Sequence, residues 1–371
     1  MNNAKNIPCK VLYRSKDPCY AESIRKFQGC PTIAATRKGR IYLGWYSGGT
    51  REPHMENYNL LIYSDDEGKT WSKPLLIIPS CKENLVHALD IQLWTDPKGR
   101  LHVFWVQNDT EIAPEELPQA KPGEPLTVTD GYLFRDRIHA CWEMICENPD
   151  DENPIFSTPR YLDKGFLRCK PLVLKDGTWL NFNYDQIQNH YGYSISKNEG
   201  LTYERHYGAE KILTVFDETM AYQKNDGSIR MLARCMSGAL AESYSLDHGK
   251  TWTKATLTDI DSPNTRFYVS RTPSGRVLLV NNDDRETRKN MTLYLSEDDG
   301  VTWKYKCCVD GRSYVSYPDV DFFGDKIYLT YDRERTRAKE ILFTAFTEED
   351  IINNTVPVPR IVSKPCEGQA E

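Results

Sequence analysis

Short apolar runs, each broken by a glycine-containing turn and resumed by another apolar run, recur throughout the 371-residue chain. Residues 31–36 lead through a turn at Gly39 into 41–46, and the turn at Gly227 leads into 229–233. Apolar runs joined by a residue that tolerates positive φ predict β-hairpins. Such turns centre on Gly39, Gly99, Gly177, Gly227, Gly275 and Gly324, at intervals of 60, 78, 50, 48 and 49 residues. No long amphipathic helix intervenes. A four-stranded unit repeating at about 50 residues has the period of a propeller blade. Six such units use up the chain. The predicted fold is therefore all-β, a six-bladed β-propeller forming one domain over residues 1–371.

A second, independent repeat follows the pattern Ser-x-Asp-x-Gly-x-Thr-Trp. It occurs at Ser64–Trp71, Ser245–Trp252 and Ser296–Trp303, and in weaker form at Ser196–Tyr203, with Asn198 for Asp and Tyr203 for Trp. The residue types suit a compact turn. The Asp accepts from nearby backbone N–H groups, the Gly takes positive φ, and the Trp is an apolar plug. The 78-residue interval exceeds the ordinary spacing by about 28 residues. Most of the excess lies in 108–130, a polar stretch with Pro114, Pro118, Pro122 and Pro125, expected to be a long inserted loop.

Strand reversal sorts residues onto two faces. If each blade's strands are A to D, the glycine turns join A to B and the Asp-box turns join C to D on the same face. The starts of A, the ends of B and the B–C loops then share the opposite face. The A starts there carry Gln28, Asp90, Arg168, Glu218, Arg266 and Tyr317, and a B end carries Arg234. The B–C loops carry Glu52, His54, Glu56, Asp283, Arg285 and Arg288. A Tyr, a Glu and several Arg from different blades thus share one face.

Composition narrows the function. With 47 Lys and Arg against 53 Asp and Glu, the formal charge is −6, which argues against a nucleic-acid backbone as partner. No stretch reaches the roughly 18 apolar residues of a membrane span. Residues 1–9 hold no apolar run of a secretion signal, and the 11 cysteines include no Cys-x-x-Cys pair. Reduced thiols and a cytoplasmic location are therefore expected. The seven histidines show no short metal-ligand spacing, so neither a catalytic metal nor a cofactor is expected.

These motifs resemble the sialidase superfamily, whose bacterial members carry repeated Asp boxes. Residues 218–234, from Glu218 to Arg234, resemble the segment from the catalytic Glu to the second substrate-binding arginine. Residues 288–296 resemble the segment carrying the third arginine, and 316–332 the one carrying the nucleophilic tyrosine. The resemblance implies Tyr317 as nucleophile, Glu218 as its base partner, and Arg234 and Arg288 as carboxylate ligands. Sialic acid bears a carboxylate on its reacting carbon, which would repel an anionic nucleophile, so a neutral Tyr with a Glu base suits it. By position before the first Asp box, Glu52 is the candidate general acid, with His54 and Glu56 its rivals in the same loop; family enzymes have Asp there. Asp90 matches a position that contacts a sugar hydroxyl, and Arg266 is a further candidate substrate contact. One departure stands out. Sialidases open the first blade with Arg-Ile-Pro, whereas this chain has Phe27-Gln28-Gly29-Cys30-Pro31. Gln28 is then expected to bond a hydroxyl or amide of the substrate.

The expected activity is an exo-acting glycoside hydrolase of sialidase type, with a carbohydrate as its partner. Two alternatives stand beside it. One is a glycosidase or lyase acting on a uronic acid or neutral sugar. The other is a carbohydrate-binding propeller without catalysis.

Overall fold

A computed structural model describes residues 3–120, 125–186 and 188–365. It contains six antiparallel sheets in chain order. The first is built of Gln28–Ala35, Ile41–Ser47, Tyr58–Ser64 and Leu76–Pro79, with Leu12–Tyr13 added at its outer edge. The third to sixth each have four strands, joined in sequence order. These sheets are the blades of an all-β, six-bladed propeller. Helix among the described residues is confined to short segments, such as Asn3–Asn6 and Glu348–Asn353.

Both repeats take the predicted conformations. All six turn glycines have positive φ, between 59° and 93°, where a Cβ would be strained. In the box at Ser245, Asp247 accepts from the Thr251 N–H at 2.8 Å and the Thr251 hydroxyl at 2.6 Å. The Ser245 hydroxyl accepts from the Gly249 N–H at 2.8 Å. Trp252 then packs edge-on against Phe182 and Tyr193. The Asn198 variant closes its turn in the same way, accepting from the Thr202 N–H at 2.9 Å.

The expected loop at 108–130 is strand at 108–112 and 126–129. The second sheet's strand Leu101–Ile112 runs on into this stretch, and an extra strand, Leu126–Thr129, pairs with Tyr132–Cys146 across the turn at Gly131. Alternating Leu126-Thr127-Val128-Thr129 has the period of a strand, and Pro114, Pro118 and Pro125 lie before it, outside both strands. Pro122 lies outside the described residues.

By its contacts the chain divides into two compact units. The first holds the described residues of 1–165, 330–343 and 360–371; the second holds those of 166–329 and 344–359. The first unit's core centres on Trp105 and Trp142, stacked at 6.4 Å, with Ile91, Leu93 and Val103 around them. Helix Asn3–Asn6 closes it, its Ala4 carbonyl accepting from Trp142 Nε1 at 2.7 Å. In the second unit, Leu232, Leu240, Leu279 and Leu293 are fully buried within sheets four and five.

One backbone feature recurs at the starts of the A strands. Cys30, Asp90, Glu218 and Tyr317 all have positive φ, at 55°, 53°, 40° and 57°. In the first two sheets the ladder shifts register there, between Gly29 and Thr32 and between Leu89 and Gln92. A bulge of this kind breaks the strict alternation of the strand and re-aims a side chain.

Candidate active site

In the second unit, Met220 pairs with Leu232, which brings the residues just outside the ladder, Glu218 and Arg234, to one end of the hairpin. The Arg234 N–H donates to the Asp217 carbonyl at 2.8 Å and extends that pairing by one bond. Arg234 Nη1 lies 2.8 Å from Glu218 Oε2. The Tyr317 hydroxyl, from strand Val315–Phe323, donates to Glu218 Oε1 at 2.6 Å. The same Nη1 of Arg234 donates to the Tyr317 oxygen at 3.2 Å. A phenol, a carboxylate and a guanidinium thus form a closed triangle. All three are buried, with Glu218 3 % and Tyr317 7 % exposed.

The electrostatics follow from this packing. Burial alone would raise the Glu218 carboxyl, but the charge of Arg234, the Tyr317 hydroxyl and the charge of Arg168 outweigh it and hold the carboxyl below its usual 4.5. Glu218 is therefore an ionised acceptor for the phenol proton at neutral pH. Its sequence neighbour Asp217 is pushed up to about 7, chiefly by burial, with Asp185 and Glu218 adding to the rise and Lys211 opposing it from 2.9 Å.

Two more arginines stand at Tyr317. The guanidinium carbons of Arg168 and Arg288 lie 5.5 and 5.6 Å from the centre of its ring. Asn264 ties the set together. Its side-chain oxygen accepts from Arg234 Nε at 2.6 Å and its carbonyl from Arg288 Nη2 at 3.2 Å. The neighbouring Arg285 points elsewhere, pairing with Asp261 at 2.7 Å.

The remaining predicted residues are placed otherwise. Arg266 is fully buried in an ion pair with Asp319 at 3.1 Å and is closed to a ligand. In the first unit, Gln28 is 0 % exposed. Its oxygen accepts from Trp45 Nε1 and from Ser363 Oγ, both at 3.1 Å. Its amide donates to the carbonyls of Lys339 and Ser363. Every polar atom of Gln28 is engaged inside the protein, so it does not present itself to a substrate. His54 is likewise buried, its Nδ1 accepting from the Glu56 N–H at 3.1 Å and closing its own loop. Asp90 is half-buried within strand Val86–Thr95. Glu52 is half-exposed and paired with Arg335 at 2.5 Å.

Arg335 fills the gap left by the variant first-blade motif. Aligned on Pro31, the arginine of Arg-Ile-Pro would fall at Gly29. A Cβ on Gly29 would lie 2.7 Å from Cγ and Cδ of Arg335, so the two cannot share the space. Arg335 is held there by Asp332 at 2.9 Å, and that carboxylate also accepts from the Cys30 N–H at 2.7 Å. A cavity of about 640 Å³ opens in the same unit, lined by Tyr20, Arg25, Tyr58 and Lys82. It contains none of the Tyr317 group.

Arg168, Asn264 and Arg335 were not assigned roles by any motif. Arg168 stands on the predicted face at an A-strand start, which was its only signal. Asn264 and Arg335 lie in loops without a distinguishing pattern.

The family described as BNR repeat-like domain matches residues 138–329, and a BNR/Asp-box repeat matches residues 62–73. No curated protein matches the chain by sequence. Solved structures share its fold at low identity. A leech intramolecular trans-sialidase superposes with a TM-score of 0.69 at 14% identity, over 93% of this chain and 71% of that one. The NanB sialidase of Streptococcus pneumoniae gives 0.66 at 17%, over 89% and 68%. A protein of unknown function from Dyadobacter fermentans gives 0.65 at 17%, over 89% and 95%.

Proposed function

This chain belongs to the BNR repeat-like domain family, and from that premise we propose that it is a glycoside hydrolase of sialidase type, releasing a terminal acidic sugar. One observation carries this proposal: the Tyr317 hydroxyl bonded at 2.6 Å to a buried, ionised Glu218 that Arg234 braces. A phenol in ordinary surroundings is a poor nucleophile at neutral pH; a carboxylate positioned to take its proton activates it.

In the proposed reaction the Tyr317 oxygen forms a bond to the anomeric carbon as its proton passes to Glu218. The bond to the leaving oxygen breaks, and that oxygen keeps the electron pair and takes a proton from a general acid. Water then attacks the anomeric carbon and gives a proton to the now deprotonated general acid, while the bond to the Tyr317 oxygen breaks and Glu218 returns its proton to the phenol; the configuration is retained. Arg234 and Arg288 supply planar donors matched to a substrate carboxylate. The internal use of Gln28 removes the observation that favoured a neutral sugar.

The test is a panel of aryl sialosides and aryl uronides. Release of the sugar by wild type and its loss in Tyr317→Phe are expected, and full turnover in that variant would overturn the mechanism.

A further inference from the structure

Three guanidinium groups surround one phenol, and they are not equivalent. Arg234 is shared between the Tyr317 oxygen and the Glu218 carboxylate, so it serves the proton on either side of its transfer. Arg288 is half-buried on a loop, where a ligand can reach it. Arg168 is 1 % exposed and faces the Tyr317 ring at 5.5 Å, too enclosed to serve as a substrate contact. It precedes strand Leu172–Val173, while Tyr317 and Glu218 come from two other sheets. Its place at the ring belongs to none of the motif segments.

We propose that Arg168 is a positioning residue that fixes the Tyr317 ring and stabilises the phenolate formed when Glu218 takes the proton. The inference rests on the hydrolase reading for its catalytic consequence. Before transfer the negative charge resides on the carboxylate; afterwards it spreads over the phenol oxygen and ring. A cation against the ring favours the second state, and burial keeps water from screening it. The planar guanidinium also stacks on an aromatic face, which holds the ring at one angle. Charged groups at Tyr317 in this unit include Glu218, Arg168, Arg234 and Arg288. Asp319, two residues along the same strand, is taken up by Arg266, and Asp217 by Lys211. The Arg168 charge also acts on Glu218 itself, holding its carboxyl down, so removing it alters both ends of the shared proton.

The experiment uses the full chain labelled with ¹³Cζ-tyrosine. Tyr317 is assigned by the signal lost in Tyr317→Phe, and its ionisation is followed by NMR across pH in wild type, Arg168→Gln, Arg168→Lys and Arg168→His. In Arg168→Gln the ionisation should move up by about 1–2 pH units, with kcat falling at least about tenfold and KM within about twofold. Arg168→Lys should restore most of both. Arg168→His should follow Lys at low pH and Gln at high pH, adding a limb to the kcat profile near the ordinary imidazole value of about 6.5. An unmoved Tyr317 ionisation in folded Arg168→Gln or Arg168→His would overturn the proposal. A chain that folds with neither, or that folds with Lys alone at every pH, would also overturn it and leave Arg168 a residue of the fold. A shifted Tyr317 with no sugar released by wild type would instead overturn the hydrolase reading, leaving the coupling intact.

Discussion

The Tyr317 hydroxyl meets Glu218 Oε1 at 2.6 Å across 99 positions of sequence, and both residues hold positive φ. Left-handed backbone in bulky residues costs about 1–3 kcal/mol each. Two such positions turned toward one shared proton are what a preorganised pair requires. Arg234 bonds both partners and helps to offset the strain.

Glu218→Gln should lower kcat/KM by about 10²–10⁴-fold, the usual worth of a positioned base. Because the Glu218 carboxyl is held below 4.5, the wild-type rate should show no loss from this group between pH 5 and 7. It should fall only below pH 4.5. The sign for stability is the same. A depressed carboxyl stabilises the fold above its unfolded value and loses that contribution as pH falls through the folded one. Paired pH–rate profiles and melting curves of wild type and variant check both statements.

Asp217→Asn should act in the opposite sense. Burial raises this carboxyl to about 7, so the folded chain retains a proton that the unfolded chain releases near 3.8. Wild-type stability relative to the variant should therefore decline as pH rises from about 4 to 7, by a few kcal/mol at most, and then level off. Thermal melts at pH 4, 5.5, 7 and 8 would show this; a constant difference in Tm would contradict it.

Arg288→Ala should weaken carboxylate binding and little else. Loss of a charge-assisted contact is worth about 1.5–3 kcal/mol, or roughly 10–100-fold in KM. The same variant should discriminate poorly between an acidic substrate and its methyl ester. Steady-state kinetics with both substrates measure this, and equal selectivity in variant and wild type would place the carboxylate elsewhere.

Gln28→Ala should destabilise the protein and not merely weaken substrate binding. It leaves Trp45 Nε1 and the buried Ser363 carbonyl without their partner, at about 1–3 kcal/mol for each stranded group. Chemical denaturation should show a lower midpoint. A KM change at unaltered stability would return Gln28 to the substrate.

Ser245→Ala, in an Asp box, should cost about 1 kcal/mol through loss of the bond from the Gly249 N–H. It should leave kcat/KM unchanged, since the box closes a turn and contributes no atom to the Tyr317 group. Activity and Tm measured side by side separate the two.

Local chemistry alone determined the blades. A positive-φ glycine between apolar runs and an Asp satisfying its own turn act over a few residues, so they can be read in order along the chain. Tyr317, Glu218, Arg234 and Arg288 were recognisable because the segments that carry them resemble those of the sialidase superfamily and lie on the face opposite the turns. Tertiary structure decided which polar groups are spent internally. Gln28 and Arg266 have the same local setting as Glu218, an A-strand start, yet one is used up by Trp45, Lys339 and Ser363 and the other by Asp319. Arg168 at the Tyr317 ring and Arg335 over Gly29 come from residues far apart in sequence. Burial and ion pairing depend on neighbours that only the packed sheets bring together, and no spacing along one strand records them.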